Sequence, residues 1–248
     1  MDGEMERPVA IVTGASAGIG AATAERLASE GFEVILGARR LDKLEEVAER
    51  SGGRALRLDV SDASSVEAFA AEIERANLLV NNAGLAVGVN RLAELSDEAA
   101  ETMWGTNVLG LLRVTRALLP KLEDSGNGHI VNVGSVAGRE VYPGGGGYTA
   151  TKHAVRAITQ TLRLELVGRP VRITEVAPGL VETEFSLVRF ANDRTQAAKP
   201  YEGIEALTAE DVADCIAWAA TRPPHVNIDE IVVKPRAQAS ATVVARER

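Results

Sequence analysis

Hydrophobic and polar positions follow two alternating patterns along most of the chain. Short runs of consecutive apolar residues are typical of buried strands, and the longer segments between them have helical spacing. The predicted strands are Val9–Val12, Glu33–Gly37, Arg54–Leu58, Leu78–Val80, His129–Val133, Val171–Val176 and Ile228–Val233. The predicted helices run from the first turn to about Glu30, from Leu41 to about Ser51, from Ser64 to Arg75, from Ser96 to about Glu123 with a break near Gly105, from Tyr148 to Leu166 and from Asp211 to about Ala220.

This alternation predicts the fold class. Repeated strand–helix units require right-handed crossovers, which give an α/β fold: a Rossmann-type doubly wound parallel sheet flanked by helices. We expect a single domain over residues 1–248, with no linker. The irregular segment 182–208 is interpreted as a mobile flap beside the site, and the tail 237–248 is expected to be frayed or to be ordered only in an oligomer.

Composition and charge narrow the class of function. Of the 248 residues, 46% are hydrophobic and only 4% aromatic, which suits closely packed helices on a parallel sheet. The net charge of −8 argues against a nucleic-acid or membrane-surface partner. The lone cysteine, Cys215, excludes an intramolecular disulfide. Neither a signal peptide nor a long apolar span is evident, so we expect a soluble, cytoplasmic protein.

A glycine-rich turn lies between the first strand and the first helix. Gly14, Gly18 and Gly20, with Ser16 and Ile19 between them, allow a tight turn and a close approach of the backbone to a pyrophosphate. The start of the helix would supply free N–H groups and partial positive charge. This context favours dinucleotide binding over a purely structural turn.

The end of the second strand indicates which dinucleotide. A Rossmann fold that uses NAD carries an acid there to accept the ribose 2′-hydroxyl. This chain has Arg39 and Arg40 instead, and guanidinium groups match a 2′-phosphate. We therefore expect NADP (NADPH); the alternative is that both arginines are solvated surface charges.

Tyr148 and Lys152 form the most informative pair of residues in the chain. Four residues apart on a helix, they lie on one face, one turn from each other. An ammonium group beside the phenol would favour the phenolate and bring the tyrosine pKa toward the working range for proton transfer. An exposed helical pair is the alternative interpretation.

Together, these motifs resemble those of the short-chain dehydrogenase/reductase family. The shared motifs, in the family's order and spacing, are Thr13-Gly-x-x-x-Gly-Ile-Gly20, Asn81-Asn-Ala-Gly84, Asn107, Ser135, Tyr148-x-x-x-Lys152 and Pro178-Gly179 followed by Thr183. The resemblance covers nearly the whole chain. Gly37–Arg40 and the ending Val226–Pro235 look like those of the bacterial NADP-dependent 3-hydroxy acid (serine 3-) dehydrogenases within this family.

The resemblance implies specific roles for the catalytic residues. Tyr148 would exchange a proton with the substrate oxygen, Lys152 would lower its pKa and hold the nicotinamide ribose, and Ser135 would hydrogen-bond the substrate oxygen. Asn107 would position a water that links Lys152 to solvent. No metal is needed, because the phenol supplies the polarisation.

The resemblance also implies a cofactor cleft. Asp59 and Val60 would meet the adenine, and Thr183 would reach the carboxamide. Further cofactor-binding residues are Gly14, Ser16, Gly18, Ile19, Gly20, Arg39, Arg40, Asn81, Ala83, Gly84, Tyr148, Lys152, Pro178 and Gly179.

The implied activity is hydride transfer between NADP(H) and a small alcohol or carbonyl substrate, most simply a 3-hydroxy acid. A carbonyl reductase for another ketone, sugar or secondary-metabolite alcohol stays an alternative, as does a non-catalytic NADP-sensing protein. A homotetramer or dimer is expected, since helices near Ser96–Glu123 and Tyr148–Leu166 carry more Ala and Leu than one sheet face covers, and the family uses them as its interface.

One flap residue is a candidate for substrate binding. Arg189 lies in the apolar run Phe-Ser-Leu-Val-Arg-Phe, where its guanidinium could be held toward the site and bind a carboxylate. Alternatively, Arg189 reaches solvent or pairs with Glu182 or Glu184.

Three features depart from the family pattern. Asn77 replaces a usual Asp, and Gly134 replaces the small hydroxyl residue often found before the serine. Four glycines, Gly144 to Gly147, precede Tyr148 and either leave space for substrate or give the helix a flexible start.

Overall fold

The structure, a computed structural model, describes residues 7–247 and contains one parallel sheet of seven strands in that range. The strands are β1 Val9–Thr13, β2 Glu33–Ala38, β3 Arg54–Arg57, β4 Leu78–Asn81, β5 Gly128–Val133, β6 Val171–Pro178 and β7 Glu230–Val233. They lie in the order β3-β2-β1-β4-β5-β6-β7, so the connections reverse direction between β1 and β4. A ligand crevice forms at such a reversal, outside the carboxyl ends of the strands.

Helices cover both faces of this sheet, which confirms the predicted doubly wound fold. They are α1 Gly18–Ser29, α2 Leu41–Ser51, α3 Ala63–Ala71, α4 Asp97–Trp104, α5 Leu111–Asp124, α6 Gly146–Glu165, α7 Glu184–Arg189, α8 Arg194–Ala198 and α9 Ala209–Ala220. Helix α3 ends at Ala71 rather than at Arg75, and α6 begins at Gly146 rather than at Tyr148. The predicted break near Gly105 is a wide π-helical turn, Gly105–Gly110, between α4 and α5.

Strand β1 shows why its consecutive residues are all apolar. Alternate side chains point to opposite faces of the sheet. Val12 packs in a cluster with Leu27 of α1, whereas Ile11 packs on the other side with Phe69 of α3 and Leu118 of α5. Because both faces are covered, a parallel strand needs a continuous hydrophobic run.

The flap and the tail are both bonded to the rest of the domain. A bridge between Val181 and Leu207 closes the base of the flap, which contains α7 and α8. In the tail, Gln238 pairs with Val244, and the Glu247 amide donates to the Gly203 carbonyl at 2.8 Å. The expectation of a frayed tail therefore differs from the structure. Residues 1–6 and 248, part of the predicted domain and tail, lie outside the described residues.

Candidate active site

Two adjoining clefts open at the carboxyl ends of the central strands. The larger, of about 560 Å³, is lined by the predicted residues Gly14, Gly18, Ile19, Arg40, Ala83, Gly84, Ser135, Tyr148, Lys152, Pro178, Gly179, Thr183 and Arg189. The smaller, of about 240 Å³, is lined by Gly14, Ser16, Arg39, Arg40, Asp59, Val60, Ala83 and Gly84. The fold thus brings together residues that are spread over most of the sequence.

The glycine-rich turn presents an uncapped helix end to the larger cleft. Gly14 has a φ of +67° and donates its amide to the Gly37 carbonyl at 2.7 Å. A Cβ on Gly20 would lie 2.5 Å from the Gly14 carbonyl oxygen, so this glycine permits close packing. Ala17 occupies the N-cap position of α1, and its side chain makes no capping hydrogen bond. The first N–H groups of α1 are therefore suited to an anion such as a pyrophosphate.

The arginines after β2 meet the flap at the smaller cleft. Arg40 donates from Nε and Nη2 to the Ser16 hydroxyl at 3.3 and 3.1 Å. Glu184 of α7 accepts from Arg40 and from Lys43, each at 2.8 Å, and these hydrogen bonds lower the pKa of the Glu184 carboxyl. Arg40 is thus not simply solvated, and Arg39 and Arg40 both line the smaller cleft.

Ser135 and Tyr148 both line the larger cleft. The Ser135 hydroxyl accepts from the Ala137 amide at 3.1 Å. The Tyr148 ring packs 5.5 Å from the Phe185 ring, centroid to centroid. Burial raises the pKa of the Tyr148 phenol, while the nearby Ser135 hydroxyl and the charge of Arg189 partly offset the rise.

Lys152 lies one turn along α6 and is buried. Its ammonium donates to the Val133 carbonyl at 2.8 Å and lies 5.8 Å from the centroid of the Tyr148 ring. Burial lowers the pKa of Lys152 to about 8, and the charge of Glu175 opposes that fall. Lys152 was expected to lower the pKa of Tyr148. The pKa of Tyr148 is instead raised, because desolvation of the buried phenol is the largest effect.

Asn107 holds the loop after β4. Its side-chain oxygen accepts from the Leu85 amide, and its nitrogen donates to the Leu85 carbonyl, both at 2.8 Å. The same nitrogen donates to Thr151 of α6 at 3.0 Å. Asn107 therefore fixes the loop and α6, next to Lys152, from the π-helical turn and does not line either cleft.

Asn81 was expected to line the cofactor cleft, but the neighbouring Asn82 does so instead. Asn81 donates to Thr115 and Asn132, each at 2.9 Å, and lies beneath the cleft. Asn82 lines the cleft and donates to the Thr13 carbonyl at 2.9 Å. Asp59, the predicted adenine contact, accepts at 2.6 Å from the hydroxyl of Ser61.

A buried ion pair supports the loop that carries Ser135. Glu175 of β6 accepts from both terminal nitrogens of Arg139, at 2.9 and 3.1 Å. Arg139 also donates to the Ser135 carbonyl at 3.4 Å. A Cβ on Gly134 would lie 2.1 Å from a Glu175 carboxylate oxygen. The departure at Gly134 is thus explained: Glu175 occupies the space that a side chain there would need.

The glycine run before Tyr148 gives space to the chain's own side chains. A Cβ on Gly145 would lie 2.2 Å from the Tyr142 ring, and one on Gly147 would lie 2.5 Å from Met103. Side chains of the chain itself therefore fill the space beside these glycines.

Arg189 points into the cleft. Its Nε donates to the Gly88 carbonyl at 3.0 Å, and Nη1 donates to the Tyr142 hydroxyl at 3.2 Å. The guanidinium carbon lies 5.9 Å from the centroid of the Tyr148 ring. Glu184 is engaged by Arg40 and is not its partner.

Several residues of the clefts were not singled out from the sequence. Asn82 lies within a recognised motif and could have been found there. Tyr142 and Gln238 line the larger cleft, but nothing in the local sequence marks them. In the described part of the chain, no group of His, Cys, Asp and Glu has metal-binding geometry, and no helix there is long and apolar enough to cross a bilayer.

The short chain dehydrogenase family profile matches residues 8–193. The chain belongs to this family. An uncharacterized oxidoreductase of Mycobacterium tuberculosis is 57% identical to it, over 94% of this chain and 93% of that protein. The sulfoacetaldehyde reductase of Chromohalobacter salexigens is 44% identical over 92% and 94%. The NADP-dependent 3-hydroxy acid dehydrogenase of Schizosaccharomyces pombe is 43% identical over 96% of each chain.

Solved structures of the family agree with this assignment. The closed form of serine dehydrogenase complexed with NADP+ superposes with a TM-score of 0.91 and 40% identity, over 97% of this chain and 100% of that one. The family predicted from the motifs is therefore confirmed, and so is the Rossmann-type fold.

Proposed function

We propose that this short chain dehydrogenase is an NADP(H)-dependent oxidoreductase that interconverts a small 3-hydroxy acid and its carbonyl form. The observation that carries the proposal is the meeting of Ser135, Tyr148 and Lys152 at one cleft. An uncapped helix end and an arginine pair line the same continuous groove. Relatives named for NADP-dependent activity support the choice of cofactor.

The residues present fit NADP. Backbone N–H groups at Gly18 and Ile19 would hold the pyrophosphate, and Arg39 and Arg40 would hold the 2′-phosphate. The remaining proposed cofactor contacts are Gly14, Ser16, Gly20, Asp59, Val60, Ala83, Gly84, Tyr148, Lys152, Pro178, Gly179 and Thr183, while Asn81 supports the cleft from beneath. When bound, NADPH supplies a hydride to the substrate carbon.

Residues of the chain itself transfer the proton to or from the substrate oxygen. Ser135 orients the substrate oxygen, and Tyr148 donates the proton to that oxygen in the reductive direction or removes it in the oxidative direction. Lys152, buried beside the phenol, places a positive charge near the nicotinamide ribose. Asn107 links the loop after β4 to α6 and thereby keeps Tyr148 and Lys152 in position beside that loop.

The substrate class rests on what two relatives share. A 3-oxo acid and sulfoacetaldehyde each carry an anionic group one methylene beyond the reacting carbonyl carbon. Relatives with both activities match this chain over nearly its whole length. A small substrate with an anion at that spacing is therefore the best-supported choice over an uncharged ketone or sugar. A silent NADP sensor is disfavoured because all the catalytic groups are present.

The compartment and the assembly stay predictions. We propose a cytoplasmic homotetramer or dimer. Apolar side chains on the outer surfaces of α4 and α6 support an interface, since Trp104 is 44% exposed and Leu164 is 77% exposed.

Turnover of NADPH with 3-oxo acids and simple ketones, in wild type and in Tyr148→Phe, tests the function. The substitution removes one oxygen next to Ser135 and leaves the ring against Phe185. Turnover should fall at least 100-fold or so while NADP binding is kept, because positioned proton donors typically contribute about 10²–10⁴-fold. Retention of more than about a tenth of the activity would contradict the proton-transfer role.

A further inference from the structure

We propose that Arg189 and Tyr142 form an anion subsite that binds the carboxylate or sulfonate end of the substrate and thereby selects the substrate class. The inference rests on the proposed function, because it assigns to named residues the anion that the proposed substrates share. It adds a specificity-determining site outside the residues that handle the reacting oxygen and the cofactor.

Arg189 is held in a fixed orientation at the end of α7. Its side chain donates to the Gly88 carbonyl at 3.0 Å, and the Gly88 amide donates back to the Arg189 carbonyl at 2.9 Å. The Tyr142 hydroxyl accepts a hydrogen bond from Arg189 Nη1 at 3.2 Å, and the Tyr142 ring packs against Gly145. Backbone and ring together aim the guanidinium rather than leaving it free to reach solvent.

The guanidinium lies among aromatic rings. Its central carbon is 5.7 Å from the Tyr142 ring centroid, 5.9 Å from that of Tyr148 and 6.0 Å from that of Phe190. Such rings attract a cation but do not neutralise it. Arg189 is also half-buried, and a charge removed in part from water interacts more strongly with a bound anion.

No acidic residue between positions 7 and 247 is paired with Arg189. Its two hydrogen bonds go to neutral oxygens, and the nearby acid of the flap, Glu184, is bound by Arg40 and Lys43. A guanidinium has five N–H donors, so several remain for a ligand. A half-buried cation without an internal counter-ion is costly unless an anion completes the site.

The spacing suits a short substrate. In a 3-oxo acid the carbonyl carbon and the carboxylate carbon are about 2.5 Å apart, from two single bonds at a tetrahedral angle. The Arg189 guanidinium carbon lies 5.9 Å from the centroid of the Tyr148 ring. With the substrate oxygen on Tyr148 and Ser135, we therefore expect a carboxylate this close to the reacting carbon to face Arg189.

Acetoacetate, its methyl ester and sulfoacetaldehyde, each reduced with NADPH, test the subsite. The ester removes the charge of the acid and adds only one methyl group. Arg189→Leu should lower kcat/KM for acetoacetate and sulfoacetaldehyde about 10- to 100-fold, mainly through KM, since charge-assisted hydrogen bonds are lost. The ester should change less than about threefold. Tyr142→Phe should produce a smaller loss of the same kind.

Arg194→Leu is the matched control, because it removes the same charge from an exposed position of the flap. It should leave all three substrates unaffected. Equal losses on the acid and the ester, or equal losses from the control, would overturn the proposal.

A binding measurement separates this proposal from the proposed function. Calorimetric titration with propionate and with propionamide, in the presence of NADP+, requires no turnover. Wild type should bind the anion and not the amide, and Arg189→Leu should bind neither. If wild type reduces no substrate yet binds propionate through Arg189, the proposed activity fails and the subsite stands. Propionate binding that Arg189→Leu leaves unchanged refutes the subsite alone.

Discussion

Replacing Glu175 by Gln tests the buried ion pair beneath the Ser135 loop. The Glu175 side chain is 1% exposed and takes both terminal nitrogens of Arg139, whereas the amide can accept only one of these bonds. Breaking a buried pair typically costs about 3–5 kcal/mol. Arg139 keeps a second partner, Glu230, at 3.0 Å, so we expect the lower end, about 3 kcal/mol.

The assay is thermal unfolding followed by circular dichroism at fixed protein concentration. For a chain of this size each kcal/mol corresponds to about 2–4 °C, so the midpoint should fall by about 6–12 °C. Glu230→Gln is the control: it removes a carboxylate from the same arginine, but one that is 29% exposed. That change should cost about 1 kcal/mol or less. Midpoints that agree within about 2 °C would refute the argument that burial makes the Glu175 pair the stronger one.

The other predictions concern the cofactor, the pH profile and the assembly. Arg39→Ala with Arg40→Ala should weaken NADPH about 100-fold or more and NADH little, because two charge-assisted contacts are lost; equal losses for both cofactors in fluorescence titrations would remove the phosphate assignment. The reductive kcat/KM should decline above about pH 8, where Lys152 loses its proton. Glu175→Gln should move that decline to lower pH, since the carboxylate favours the charged ammonium, and an unmoved profile would exclude this coupling. Light scattering at micromolar concentration should show a dimer or tetramer, and a monomer would contradict the interface on α4 and α6.

The sheet and most of the cleft could be predicted because their signals are local. A strand buried on both faces needs a continuous apolar run, as in Val9–Val12, and a phosphate-binding turn needs glycines at fixed offsets. Tyr148 and Lys152 are separated by one helical turn, so their proximity follows from helix geometry. The helix ends were less certain: the end of α3 at Ala71 is not marked by glycine or proline.

Contacts between distant segments could not be predicted. The direction of Arg189 depends on the Gly88 carbonyl, which lies 101 residues away in the chain. Asn81 was expected in the cleft, but its side chain is bound by Thr115 and Asn132 from neighbouring elements. Glu175 did have a visible signal, since an acid within the hydrophobic strand β6 requires a buried partner. The identity of that partner, Arg139, required the fold.

The close contact between Gly134 and Glu175 limits the order in which these two positions can change. A serine at position 134 would collide with the carboxylate, because even a Cβ there lies 2.1 Å from it. Loss of Glu175 alone would leave Arg139 without its buried partner. Neither substitution is therefore neutral by itself, and a side chain at position 134 needs a smaller residue at position 175. Grafting a Ser-Ser pair into this chain will therefore require position 175 to change together with position 134, and a single-site scan will score side chains at position 134 as unfavourable.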